Sequence, residues 1–334
     1  MILLETLLSV GTGLFAAIGL GAWLPLRSVA GRVLVGLLLV PLFLIILSIL
    51  LPLALSELAL LILAVSFVGW FKFAKSIKRT EIPWILFNPV FVLPVLFAIG
   101  LLIVGDVGYQ SFEWDEFASW LNWAKNLYLT DSLVREDANW RNLGYPQGWP
   151  TAVVFPQLSF ATFEPMRSLT VGVLWHTAVL GLIYEVIIGY LAATNWASRS
   201  VIALTGYFLI FVLLAAETLR KLVPQDFLIE LPQIFALAGV SALLCLAAIG
   251  AEKLKGTSLA AGLILAAGIM VKISVIAAVA PLALVIVYMN FGREKEGGGW
   301  KGTVLNLGLY ILPIVIVQLI WMPLQKVLLI RHAG

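Results

Sequence analysis

Long apolar stretches separated by short polar ones set the pattern of this chain. Mainly Leu, Ile, Val, Ala and Phe fill residues 3–25, 31–53, 55–72, 82–104, 167–193, 199–217, 230–251, 257–289 and 302–324. A helix needs about 20 apolar residues to cross a bilayer, so most of these runs predict one crossing each. The run 257–289 is too long for one ordinary pass, and Lys272 interrupts it near its middle. It predicts two short helices folded into a hairpin. The expected fold is all-α: a transmembrane helical bundle of about ten passes, forming a single integral membrane domain over residues 1–334.

Composition closes off the alternatives. The chain is 62% hydrophobic and 12% charged, with a mean hydropathy of +1.05. A soluble domain carries about 25% charged residues, so half the usual polar surface is missing. A membrane barrel would show alternating segments of about ten residues rather than continuous runs of about twenty. The net charge of +3 is spread over short loops with no basic stripe, so nucleic acid is not an expected partner. Cys245 is the only cysteine, which excludes an intrachain disulfide and a cysteine-based zinc site. The start of the chain has an acid, Glu5, where a cleaved signal peptide would carry bases, so the first run is expected to be a retained span.

The basic residues predict an orientation. Arg27 and Arg32 form one cluster, and Lys72, Lys75, Lys78 and Arg79 a second. Arg199 follows, then Lys253 with Lys255, then Arg293, Lys295 and Lys301. All fall on one side only if 257–289 crosses twice, and the positive-inside rule makes that side cytoplasmic. The N-terminus, residues 105–166 and the loop near 218–229 then face outward, together with most of the acids. Lys326 and Arg331 run against this asymmetry.

Residues 105–166 form much the longest polar segment, and long structured loops usually carry function. At helical spacing Trp114, Phe117, Leu121, Ala124 and Tyr128 share one face, and Asp115, Ser119, Asn122 and Asn126 the opposite one. A tryptophan-rich amphipathic helix of this kind is expected to lie in the membrane interface. Asp115 and Glu116 occupy its first turn, where the helix dipole favours negative charge, and Asp115 could equally be a helix cap. Two prolines and two glycines in Leu143-Gly-Tyr-Pro-Gln-Gly-Trp-Pro150 specify a rigid turn.

The order Trp114-Asp-Glu-Phe117, a Trp- and Lys-bearing amphipathic helix, then Gly144-Tyr-Pro-Gln-Gly-Trp-Pro150 resembles the first outer loop of the GT-C glycosyltransferases. Those are integral membrane enzymes that take sugars from polyprenyl-phosphate donors. Asp226 in Pro224-Gln-Asp-Phe227 and the glycine-rich stretch Gly262–Lys272 are similar to further features of that superfamily. The resemblance covers about residues 82–324, with 1–80 as extra N-terminal spans.

It implies sugar transfer with inversion to an acceptor hydroxyl at the outer membrane face, with Asp115 as base and Glu116 as its neighbour. Asp226, Lys272, Tyr145 and Lys125 are implied contacts to donor or acceptor. A divalent metal, Mg or Mn, would be held by Asp115, Glu116 and Asp226. The implied partners are a polyprenyl-phosphate sugar, membrane lipids, a glycan, lipid or protein acceptor, and a further membrane protein. The implied location is a bacterial plasma (inner) membrane, active site outward.

Other readings stay open at this point. Lys272 within an apolar run costs at least ~2.5 kcal/mol, so it is expected to find a partner or to snorkel to the headgroups. Glu185 and His176, both inside a span, are expected to make interhelical hydrogen bonds rather than to catalyse. Arg167 is expected to offset acids. A transporter would also use a broken helix with an ionisable group, although no internal repeat is present. A membrane subunit that keeps the fold without activity is a third reading.

Overall fold

The computed structural model describes residues 2–77, 82–104, 120–133, 147–194, 198–219, 230–292 and 299–333. Every regular element among them is helical. In chain order these are α1 (Ile2–Gly21), α2 (Val29–Leu50), α3 (Leu55–Ser76), α4 (Ile82–Leu86), α5 (Pro89–Val104), α6 (Leu121–Thr130) and α7 (Gly148–Val154). Then follow α8 (Pro165–Ala193), α9 (Arg199–Leu219), α10 (Glu230–Ala248), α11 (Leu254–Val271), α12 (Val279–Phe291) and α13 (Trp300–Ala333). Seven segments are long and apolar enough to cross a membrane: Leu4–Gly21, Val29–Leu50, Leu55–Ser76, Arg167–Ala193, Leu254–Val271, Ile273–Phe291 and Trp300–Pro323. Three shorter apolar stretches, Pro89–Gly100, Ser200–Leu213 and Gln233–Ala248, fall on the other expected runs. This is a helical membrane protein.

Small residues let the spans close up. A side-chain carbon added at Gly69 on α3 would collide with the Gly19 carbonyl of α1, and one at Gly262 on α11 with the Tyr310 carbonyl of α13. In lipid, where apolar burial gains little between helices, such backbone-to-backbone approach is a main source of association. The most buried of the long helices are α11, with 15 of 18 residues buried, and α2, with 15 of 22.

The run 257–289 breaks at Lys272, as expected. Lys272 is extended (φ −149°, ψ 123°) and ends α11, and a 3-10 turn, Ile273–Ala278, leads into α12. Both arms lie on α13: Tyr310 meets Gly262 of the first arm and donates to the Val279 carbonyl of the second at 2.9 Å. The Asn306 side-chain amide donates to Asn290 at 2.9 Å, a polar tie in the same helix pair.

The expected run 82–104 is two helices, α4 and α5. The turn is at Asn88, whose side-chain oxygen accepts from Val90 N at 2.9 Å. Proline at 89 disfavours helical geometry at Asn88, and Asn-Pro is a turn signal. The last run, expected to end near 324, continues as helix to Ala333.

The charges separate to two ends. At one end the Arg32 guanidinium donates to Ser76 Oγ at 2.9 Å, Lys72 Nζ lies 4.8 Å from the Trp23 ring centre, and Arg27 N donates to Glu252 at 2.6 Å. The clusters around residues 27–32, 72–75 and 252–255 therefore share one end. At the other end lie α6, α7, Lys272 and the Glu5–Arg167 ion pair. Lys78, Arg79, Arg293 and Lys295 lie outside the described residues.

Candidate functional site

The end opposite the basic clusters is a floor of short elements. Helix α6 buries Trp123, Ala124 and Leu127, with Trp120 buried just before its start, and exposes Asn122 and Lys125. The stretch is amphipathic as expected, with the buried face turned about one residue from the one read in the sequence. The reason is what α6 touches: its inner face meets α7 and the core, and Trp120 and Trp123 pack edge-to-face at 4.7 Å. Tyr128 stands at the margin and donates from its hydroxyl to the Phe160 carbonyl at 2.8 Å.

At the end of α6, Asp131 takes a left-handed backbone (φ 48°) and turns back on α3. Its carboxylate accepts from Ser56 N at 2.8 Å and from Ser56 Oγ at 2.5 Å, while its carbonyl accepts from Leu55 N at 3.0 Å. One residue thus caps α3 and fixes α6 to the N-terminal spans. Glu57 completes that start by accepting from Ala54 N at 2.9 Å.

Helix α7 is the described half of the rigid turn. All seven of its residues are buried, from Gly148 to Val154. Trp149 meets Trp175 of α8 edge-to-face at 5.4 Å, and Thr151 Oγ1 bonds the Gln147 carbonyl at 2.6 Å. Gly148 touches the backbone that precedes Lys272: a Cβ there would lie 2.5 Å from the Met270 carbonyl oxygen. The turn and the break in α11, some 120 residues apart in sequence, are therefore one packed unit. Lys272 itself is half-buried, and neighbouring Ser274 Oγ donates to Gln233 of α10 at 3.2 Å.

Beyond α7 the chain is pinned by Gln157. Its side-chain amide donates to the Glu164 carbonyl at 3.0 Å, and its oxygen accepts from Glu164 N at 2.8 Å. Arg167 is fully buried. It pairs with Glu5 of α1 at 2.9 Å, bonds the Thr162 carbonyl, and stacks 4.5 Å over the Phe160 ring centre. This is the charge-offsetting role expected of Arg167, with α1 supplying the acid.

The structure brings the backbone just before Lys272, Met270 and Val271, against the turn motif. It leaves Lys125 exposed on the outer face of α6. Asp115, Glu116, Tyr145 and Asp226 lie outside the described residues, as does the expected first turn of the interfacial helix. Among the described residues no group of three or more His, Cys, Asp or Glu side chains could hold a metal ion. Glu185 makes the interhelical bonds expected of it, accepting from Ala30 N of α2 at 3.0 Å and from the Asn88 amide at 2.9 Å. His176 stacks on Phe235 of α10 with ring centres 5.1 Å apart.

Sequence reasoning missed Asp131, Gln157, Asn88 and Glu252. Only Asn88 carried a local signal, the Asn-Pro pair: the partners of Asp131 and Glu252 are distant in sequence, and Gln157 meets Glu164 only because the chain between them folds back. Compared with known proteins, the chain matches no family model, no curated protein and no solved structure.

Proposed function

We propose that this protein is a membrane glycosyltransferase that moves a sugar, with inversion, from a polyprenyl-phosphate donor to an acceptor hydroxyl. The chemistry would take place at the end of the bundle opposite the basic clusters. The observation that supports the reading is the contact of Gly148 with the Met270 carbonyl. Two sequence features that entered the resemblance separately, the rigid turn and the lysine-ended glycine-rich helix, meet there.

In this reading Asp115 takes the proton of the acceptor hydroxyl as its oxygen bonds to the sugar carbon. The bond from that carbon to the phosphate oxygen breaks, and the leaving phosphate keeps the electron pair. A cation beside the leaving group stabilises its charge, and Lys272 is the residue assigned to that work. Glu116 orients Asp115, and Asp226, Tyr145 and Lys125 contact donor or acceptor. In this reading the break at Lys272 lies at headgroup depth, where the donor's chain stays in lipid while its sugar meets water.

The test uses purified protein in lipid nanodiscs with a short-chain polyprenyl-phosphate sugar. Asp115→Asn keeps size and capping ability while removing basicity, so transfer should fall by about 10²–10⁴ with donor binding intact. Lys272→Met should weaken donor binding in a folded protein. Wild-type protein that binds no such donor, or transfer by Asp115→Asn at the wild-type rate, would overturn the assignment.

A further inference from the structure

The basic end of the bundle holds a second polar feature, independent of the sugar-transfer reading. A cavity of about 660 Å³ opens between the start of α2, the end of α3, α4 and the end of α8. Arg27 and Arg32 stand on its wall with Glu185, and Trp84, Ile85 and Ile188 form an apolar side. The volume is in the range of ligand sites, about 300–1,000 Å³.

Its free donors suit an anion. Glu185 is turned toward α2 and Asn88 by the bonds it accepts from Ala30 N at 3.0 Å and the Asn88 amide at 2.9 Å. Glu252 holds Arg27 N and Ser28 N. The free amides at the start of α2 are thus taken by these two carboxylates, and the guanidinium groups are what remains to meet a ligand. Arg32 is pre-positioned: its Nε donates to the Leu26 carbonyl at 2.7 Å and one terminal nitrogen to Ser76 Oγ at 2.9 Å. The Arg27 side chain is exposed at the rim. Glu185 and Glu252 offset the two guanidiniums in charge, but both carboxylates are engaged with amides, so the guanidinium N–H groups are the donors left to face a ligand.

An anion alone would leave the Trp84, Ile85 and Ile188 side uncovered. An anion that carries hydrocarbon satisfies both walls. Guanidinium groups match phosphate oxygens in geometry as well as charge, and basic pockets between spans are suited to lipid headgroups.

We propose that this cavity binds the phosphodiester headgroup of an anionic membrane lipid, Arg27 and Arg32 holding the phosphate and an acyl chain lying along Trp84, Ile85 and Ile188. Free phosphate shares the headgroup chemistry without the chain. The lipid sits at the opposite end from Lys272, so this site and the proposed transfer site stand or fall separately.

Native mass spectrometry of the detergent-purified chain titrated with phosphatidylglycerol, phosphatidylcholine and inorganic phosphate is the test. One phosphatidylglycerol should be retained in preference to phosphatidylcholine, and millimolar phosphate should not displace it. Arg27→Gln should weaken retention about fivefold, the effect of one basic residue at a lipid surface. Arg32→Gln should do the same. If that variant does not fold, Arg27→Gln, at an exposed side chain, still decides. Lys255→Gln, exposed at the same end, should change nothing. Equal retention of both lipids, or equal loss in Lys255→Gln and Arg27→Gln, would reduce the site to diffuse surface charge. Displacement by phosphate would overturn the lipid in favour of the free anion.

Discussion

Alanine at position 148 probes whether the rigid turn and the break at Lys272 act as one unit. The added Cβ would lie 2.5 Å from the Met270 carbonyl oxygen, 2.7 Å from its carbonyl carbon and 3.1 Å from Val271 N. Ordinary contact begins at 3.4 Å, so the shortfall is about 0.9 Å. Both sides of the contact are backbone, so no side chain can rotate away and a helix must shift. Overpacking of this kind costs about 1–3 kcal/mol.

The functional consequence is steeper, because a misplacement of about 1 Å can cost about 10²-fold in rate. Gly148→Ala should therefore lower the thermal midpoint and cut the proposed sugar transfer by about a hundredfold, and Gly148→Val should do more. Gly100→Ala and Gly308→Ala are matched controls, since beyond the helix's own adjacent backbone nothing lies within 4 Å of a Cβ at either site. Relieved of a helix-interior glycine, those two should gain up to about 1 kcal/mol. Midpoints come from thermal unfolding in detergent, and rates from nanodisc transfer assays. A Gly148→Ala protein as stable as Gly308→Ala would refute the packing argument, whatever its activity.

Three further outcomes are expected. Single cysteines replacing Lys125 and Lys255, both exposed and at opposite ends, in a Cys245→Ser background should label from opposite sides of sealed vesicles, position 125 from outside. Labelling of both from one side would overturn the orientation. Glu5→Leu leaves the buried Arg167 without its counter-charge and should cost about 3 kcal/mol in equilibrium unfolding. Adding Arg167→Leu should recover part of that loss, and a double variant worse than the single would mark the pair as a net stabiliser. Burial pushes the Glu252 carboxyl above its ordinary 4.5, against the pull of amide bonds from Ser28, Arg27 and Lys253 and the charge of Arg27. Its folded value being raised, its stability contribution is present at low pH and is lost as pH climbs from 4.5 through that raised value. Glu252→Gln should flatten the thermal midpoint across that window, and an unchanged pH profile would remove Glu252 as its source.

The spans were legible because bilayer thickness imposes a length on any apolar run, and a run carries that length in its own residues. The break at Lys272 was legible for the same reason: 33 mostly apolar residues with one lysine among them, 257–289, exceed a single crossing. Glu185 could be read as an interhelical group because an acid inside a span must find a donor, and it found Ala30 and Asn88. In each case the cost of an unsatisfied group in lipid reaches back to a single residue.

Only the folded chain decided the rest. The turn of α6 by about one residue depends on α7 lying beneath it, and nothing in 112–128 names that neighbour. Asp131 reads as one more outer acid until α3 brings Ser56 to it. Glu252 reads as a loop acid beside Lys253 until α2 starts within its reach. Gly148 looks like a turn glycine, and its actual constraint is the Met270 carbonyl of a helix some 120 residues away. Sequence set where most of the long apolar helices run, because that follows from local hydropathy. Tertiary structure chose which small or polar residue meets which, because that depends on the surfaces of two helices at once.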